Sequence, residues 1–254
     1  APGVTLEDKL ACTRLMLDAG ADIREMNAVR KHLSGIKGGR LAEMVAPAAA
    51  VSLILSDVVG DDPGTIASGP MTPDTTTFAD GLDVFEKLGI SDRVPRAVMR
   101  RFREGAAGRI PETPKAEDAV FRRCESYIVA NNAQACAAAC RAARRLGYHS
   151  MVLTSRLEGD TKEAARLHMS VASEIVFHRR PLRRPACIIS GGETTVRVTG
   201  KGSGGRNQEF ALHCVRPLAG LPVPVLAASL GTDGTDGPTD AAGAVADGTT
   251  LLRS

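Results

Sequence analysis

Four short stretches of this 254-residue chain gather the residue types that handle phosphate, metal or a small acid. One is Ser56-Asp57-Val58-Val59-Gly60-Asp61-Asp62-Pro63, carried on to Ala67-Ser68-Gly69-Pro70. A second is Ser190-Gly191-Gly192-Glu193, a third runs from Gly200 to Glu209, and a fourth from Gly231 to Asp240. In the third, Gly200, Gly202 and Gly205 match the G-x-G-x-x-G spacing of dinucleotide sites, a weak signal when alone. That fingerprint also needs an acid roughly 20 residues later for the ribose hydroxyls, and Leu218 to Gly231 holds none. No G-K-[ST] closes the loop, so it is not a P-loop either. What remains is a concavity of glycine N–H groups running into a helix, which suits an anion. Lys201 and Arg206 bring positive charge to Gly202, Gly204 and Gly205, and the guanidinium fork can hold two oxygens of one phosphoryl group. The competing reading is a flexible hairpin loop with incidental charge.

In the fourth stretch Asp233, Asp236 and Asp240 stand in a Gly/Thr loop after an apolar run. Carboxylates on a tight loop suit Mg²⁺, which takes one or two of them and leaves the rest to water and phosphate. Asp-Gly pairs are equally ordinary turn formers, and alone this loop would be read that way. A second acidic loop, at Asp57, Asp61 and Asp62, strengthens the ligand reading, because both follow strand-like runs. The Ser190-Gly191-Gly192 turn allows either a close approach of backbone to ligand or a bulge, and Glu193 is either a functional carboxylate or a solvated residue. Lys37-Gly38-Gly39-Arg40 reads as an anion nest or a helix stop, and Asn131-Asn132 as a helix cap.

These stretches sit on a regular scaffold. Thr5 with Asp8 resembles a capping box, and helices are expected from there to Gly20 and over Ile23, Met26, Val29 and Leu33. The run Ala50–Leu55 is continuously apolar, as in a strand buried on both faces. Helices at about 76–88 and 94–104 follow, and residues 105–120 read as a surface loop. Then strand 127–130, helix 132–146, strand 151–153, helix 158–178 and strand 186–189 alternate. That order predicts an α/β fold with a doubly wound, mostly parallel sheet and helices on both faces. Such sheets bind ligands at the carboxyl ends of their strands. Beyond Pro185 the texture changes: 194–199 alternates like a partly exposed antiparallel strand, then come a helix at 207–216 and a strand at 223–230. A boundary near 185 therefore divides the chain into 1–185 and a second, smaller α/β domain, 186–254.

Composition excludes several classes. With 43% hydrophobic residues the chain can bury a sizeable core. A net charge of +3, no Trp and only two Tyr argue against nucleic-acid binding. No signal peptide or membrane-length apolar run is present. The six cysteines, Cys12, Cys124, Cys136, Cys140, Cys187 and Cys214, form no C-x-x-C and read as thiols in a reducing, cytoplasmic setting. No two histidines stand at i, i+4, so a local His metal site is unsupported. Ala1 in place of an initiator Met, opening almost directly on a helix, suggests a truncated or processed chain.

Taken together, Asn27-x-x-Arg30-Lys31-His32-Leu33-Ser34, Lys37-Gly38-Gly39-Arg40-Leu41-Ala42 and the Ser56-to-Pro70 loop resemble class II glycerate kinases. Ser190-Gly191-Gly192-Glu193-Thr194-Thr195, Gly204-Gly205-Arg206-Asn207-Gln208-Glu209 and the Gly231-to-Gly243 run resemble the same family's C-terminal MOFRL domain. The resemblance implies an ATP- and Mg²⁺-dependent kinase that phosphorylates D-glycerate to 2-phosphoglycerate in a cleft between two α/β domains. It also implies that this chain lacks an N-terminal segment with a functional lysine and a glycine-rich turn, and the tail of the MOFRL domain. Met71 stands where relatives usually carry Thr. On this basis Arg206, Asp233 and Asp57 are assigned to catalysis, and Lys201, Gly202, Gly204, Gly205 and Lys37 to nucleotide phosphate. Ser190, Gly191, Gly192 and Glu193 are assigned to substrate, and Asp233 and Asp236 to metal. The expected partner is glycerate, with neither nucleic acid nor membrane, and a homodimer is compatible with these features. The alternatives are an NAD(P)-dependent hydroxypyruvate reductase, a label some relatives once carried, or a non-catalytic ligand-binding fragment.

Overall fold

The computed structural model describes residues 1–200 and 202–253. The chain forms two compact units, Ala1–Val129 and Ala130–Ser254, described separately below.

The first unit is mostly helical: α1 (Leu6–Asp18), α2 (Ile23–His32), α3 (Arg40–Val45), α4 (Phe78–Lys87) and α5 (Arg96–Ala106). Each start is written locally. Thr5 and Asp8 form the expected capping box, and Asp22 with Glu25 and Thr77 with Asp80 form two more. The apolar stripes of these helices converge on Met16, Val29, Phe78, Phe85, Ile90, Val98 and Phe102, all nearly inaccessible to solvent. Phe78 and Phe85 meet Phe102 edge-on, with ring centroids 5.6 and 5.2 Å apart. Burying each such ring contributes about 2–3 kcal/mol.

Polar groups inside this core are paired. Lys31 Nζ lies 3.1 Å from Asp74 Oδ1, and Asp74 also accepts from Thr76 and Thr113. His32 bridges Ala28 O and Glu112 Oε2 at 2.7 and 3.0 Å, while Arg101 Nε donates to His32 O.

Strand β1 (Ala50–Ser56) is hydrogen-bonded to β2 (Cys124–Asn131). The expectation that β1 is covered on both faces fails, because Val51, Leu53 and Leu55 are 64–74% exposed. An unbroken apolar run specifies extended backbone but not how many of its faces find a partner.

In the second unit the alternation appears as expected: α6 (Asn132–Arg145), β3 (His149–Leu157), α7 (Thr161–His178) and β4 (Ala186–Gly192). Strands β3 and β4 pair in parallel from His149↔Ala186 to Leu157↔Gly192, with α7 as the crossover. Then follow α8 (Arg206–Ala219), β5 (Leu226–Leu230), β6 (Gly243–Asp247) and a last turn of helix, α9 (Thr250–Arg253). The fold is α/β, its strands hydrogen-bonded in pairs β1–β2, β3–β4 and β5–β6, the last antiparallel. Ala165 and Met169 of α7, Ala211, Cys214 and Leu218 of α8, and Ala246 of β6 form its core. Pro222 and Pro224 trim the expected 223–230 strand to five residues, since proline gives no ladder N–H.

Residues 194–199 do not form the expected antiparallel strand. Only Thr195 bridges, and in parallel, to Asp160. Thr195 N donates to Gly159 O and Thr161 N to Thr195 O, so the segment continues beside the β3–α7 turn. Beyond it no second strand pairs with it among the described residues, and Val198 is 81% exposed. Period-2 alternation recorded the extended shape and not a partner.

Candidate functional site

The site in the second unit is built from the end of β4, the start of α8 and the loop between β5 and β6. Gly205 at the N-cap of α8 has no side chain to satisfy the first helical N–H groups. Asp236 does this from the other loop. Its Oδ1 accepts from Asn207 N and Asn207 Nδ2, both at 3.0 Å, and its Oδ2 from Gln208 N at 2.8 Å. Burial alone would raise the Asp236 pKa, but these donors outweigh it and hold the carboxyl below its ordinary range. Gln208 Nε2 and Thr239 Oγ1, 2.9 Å apart, close the same turn, and Ser229 of β5 donates to Asn207 Oδ1 at 2.7 Å.

The two loops therefore meet through backbone. A Cβ on Gly205 would stand 2.3 Å from Asp236 Oδ1, and one on Gly237 would stand 2.3 Å from Gly204 O. The glycines of the third and fourth sequence stretches are thus explained in part by this contact. Gly202 and Gly204, by contrast, have nothing within 4 Å of a would-be Cβ and face open space. Lys201 lies outside the described residues.

Both oxygens of Asp236, assigned with Asp233 to metal, accept the hydrogen bonds that cap α8. Asp233 is different: exposed, it accepts from Thr235 N at 3.1 Å and Thr235 Oγ1 at 3.0 Å. These donors, with the nearby Arg206 guanidinium, hold its carboxyl below the usual range. Arg206 opens α8, and its Nη1 lies 2.6 Å from Glu193 Oε1, each side chain a little under half exposed. At that exposure the pair adds at most about 1 kcal/mol. It ties the first residue of α8 to the residue just after β4.

For a metal the fit is partial. Among the described residues no three His, Cys, Asp or Glu side chains gather as a closed site. Asp233 offers one carboxylate beside a guanidinium, which fits an ion that takes its remaining ligands from phosphate and water.

Ser190, Gly191 and Gly192 form the end of β4 and not the expected turn, and the two glycines have a packing reason. A Cβ on Gly191 would lie 2.1 Å from Asn132 Oδ1, and one on Gly192 (φ +152°) 2.1 Å from Leu157 O. Ser190 Oγ lies 2.7 Å from His168 Nε2, while His168 Nδ1 lies 2.7 Å from Ala164 O. A carbonyl only accepts, so Nδ1 carries a proton, and Nε2 and Ser190 Oγ share the second hydrogen bond. His168 was invisible in the sequence, because its partner stands 22 residues away on another element. Asn207 and Ser229 were missed for the same reason.

In the first unit Asp57 is exposed at the end of β1. Asp62 instead forms its own turn, accepting from Gly64 N and Thr65 Oγ1. Lys37 Nζ donates to Ala67 O at 3.0 Å and to Ser68 Oγ at 3.3 Å. Gly38 N donates to Ser68 O and Gly39 N to Gly69 O, and Ser68 Oγ to Asn27 Oδ1. These bonds hold Ala67 (φ 52°) and Ser68 (φ 62°) in left-handed backbone, at about 1–3 kcal/mol each. The Lys37-Gly38-Gly39 turn and the Ser68-Gly69-Pro70 segment are therefore one structure, and neither serves simply as a helix stop.

Comparison with known proteins gives a consistent result. Residues 1–103 match DUF4147, a domain of unknown function, and residues 186–254 match the MOFRL family. The chain is 46% identical over 250 residues to D-glycerate 2-kinase of Thermotoga maritima, covering 98% of itself and 56% of that protein. Against glycerate kinase of Macaca fascicularis it is 38% identical over 283 residues, covering 96% of itself and 70% of the relative. The crystal structure of glycerate kinase from Thermotoga maritima superposes with a TM-score of 0.83 at 44% identity, over 99% of this chain and 57% of that one. The chain thus spans little more than half of the Thermotoga protein. Similarity of this depth along nearly its whole length shows that the chain belongs to the glycerate kinase family.

Proposed function

We propose that this chain carries the phosphoryl-handling part of an ATP-dependent D-glycerate 2-kinase, in which Arg206 binds the transferring phosphoryl group. The observation that carries the reading is the Arg206 guanidinium, paired with Glu193 at 2.6 Å at the end of an open glycine loop, with Asp233 near enough to feel its charge. Phosphoryl transfer asks the protein for positioning and charge neutralisation more than covalent chemistry. The glycerate hydroxyl attacks the γ-phosphorus, the bond to ADP breaks, and the hydroxyl proton leaves. Mg²⁺, when bound, neutralises charge on the phosphate oxygens. Asp233 is the residue offered to it, while Asp236 serves by fixing the start of α8 and hence Arg206.

Gly202, Gly204 and Gly205, with Lys201 in the same loop, supply N–H groups and charge for the phosphates, and Lys37 is assigned to phosphate as well. Ser190 presents a hydroxyl oriented by His168, and Glu193 with the Gly191-Gly192 turn borders the substrate. Asp57 is assigned to orienting glycerate or metal on the resemblance of its loop. Residues 186–254 are assigned to the MOFRL domain and 1–185 to the larger kinase domain, a division supported by where the MOFRL match begins. Transfer to the 2-hydroxyl follows the printed name of the Thermotoga relative. A cytoplasmic setting accords with six free thiols, and a homodimer is the assembly to test by sedimentation.

The reductase alternative is disfavoured because Leu218 to Gly231 holds no acid for the ribose hydroxyls of a dinucleotide. Phosphorus NMR of the chain with ATP, Mg²⁺ and D-glycerate is the test. Appearance of 2-phosphoglycerate supports the proposal; bound ATP without turnover points to the ligand-binding alternative, and oxidation of NAD(P)H by added hydroxypyruvate, in a parallel assay, to the reductase.

A further inference from the structure

The helical unit holds a cavity that the site above does not use. On α1, Lys9, Thr13 and Met16 recur at helical spacing and face α2, from which Val29, Arg30 and Leu33 face back. Together with Ser34 and Lys37 they line a half-open hollow of about 320 Å³, at the lower end of the range for small-molecule sites. Its floor is apolar, since Met16, Val29 and Leu33 belong to the core. Its rim is cationic. Lys9, Arg30 and Lys37 all line it, and none is ion-paired among the described residues, whereas Lys31 and Lys87 nearby each have a carboxylate.

Burial, and after it the Arg30 charge, hold the Lys37 ammonium below the ordinary lysine range, while its Nζ also donates to Ala67 O and Ser68 Oγ. The segment that presents Lys37 is itself fixed by Gly38 N to Ser68 O at 2.9 Å, so the lysine cannot easily swing away.

We propose that the α1–α2 cavity is a binding site for an organic phosphate, its phosphate end against Lys9, Arg30 and Lys37 and its body on Met16, Val29 and Leu33. A ligand with two or more negative charges matches the rim, as guanidinium and ammonium groups bind phosphate by fork and by point charge. The cavity is larger than bare phosphate needs, which gives the body a place. Of the kinase reading the site shares only Lys37, and it stands without glycerate chemistry.

Calorimetry with pyrophosphate on the chain carrying Lys201→Ala and Arg206→Ala tests the proposal, because those substitutions remove both cations of the other anion candidate. Pyrophosphate should bind, about fivefold more weakly in Lys9→Gln and about 25-fold more weakly in Lys9→Gln/Arg30→Gln, at roughly 1 kcal/mol per exposed charge. Thr13→Phe fills the cavity without changing charge and should abolish binding, with circular dichroism confirming that the helices persist. ADP and 2-phosphoglycerate, titrated in parallel, distinguish a nucleotide body from a small acid. No binding of pyrophosphate, or binding unchanged in the double variant and in Thr13→Phe, overturns the proposal.

Discussion

Replacing Asp236 with Ala should loosen the start of α8 and thereby move Arg206. The wild-type carboxylate accepts three hydrogen bonds, from the Asn207 and Gln208 amides and the Asn207 side chain, and its residue is 2% exposed. Loss of a helix cap costs about 0.5–2 kcal/mol. Stranding two amides that are only partly buried adds a fraction of the 1–3 kcal/mol expected for each fully buried donor. Together these give about 2–4 kcal/mol. The pH dependence has a definite sign. Because the folded pKa is depressed, the contribution is complete above the unfolded value of about 3.9 and is lost as pH falls through the folded one. Hydrogen exchange at Asn207 and Gln208, with urea unfolding between pH 3 and 7, reads both effects on the unit that holds α8. Exchange as slow as wild type in Asp236→Ala, or a variant within about 0.5 kcal/mol of wild type, would refute the capping argument.

Gly191→Ala should destabilise by about 1–3 kcal/mol, because its methyl would overlap Asn132 Oδ1 and Cys136 Sγ at 2.1 and 2.6 Å; thermal denaturation checks it. Asp74→Ala should cost about 3–5 kcal/mol by leaving Lys31 unpaired in the core, measured by urea unfolding of the helical unit. In the wild type burial pushes Asp74 up, but Thr76 and Lys31 outweigh it, so the helical unit should weaken as pH falls below about 4. Asp233→Asn should leave stability within about 0.5 kcal/mol, since the side chain is exposed, yet raise the Mg²⁺ concentration needed for ATP binding, followed by titration.

Much of the scaffold was legible because it is local. The capping box at Thr5, the helix near 76–88, the β3–α7–β4 crossover and the helix opening near Arg206 each follow from a few neighbouring residues. What escaped was set by residues distant in sequence. Nothing in the Gly231–Asp240 loop announces that Asp236 caps a helix about 30 residues earlier while Asp233 stays outside, since both occupy the same Asp-Gly turn chemistry. His168 and Ser190 are likewise joined only by the packing of α7 on β4. The exposed face of β1 and the missing strand at 194–199 teach a related point: side-chain patterning reports backbone shape, while coverage depends on which partner arrives.

The account centres on Arg206 as the group that grips a nucleotide's terminal phosphate. Calorimetric titration of ATP with Mg²⁺ into the wild-type chain and into Arg206→Lys tests this most directly, because lysine keeps the charge and loses the fork. The account predicts binding to wild type, weakened about tenfold or more by Arg206→Lys, as a charge-assisted bidentate contact is worth roughly 1.5–3 kcal/mol. Equal affinity in the two proteins, with α8 intact by hydrogen exchange, would contradict it.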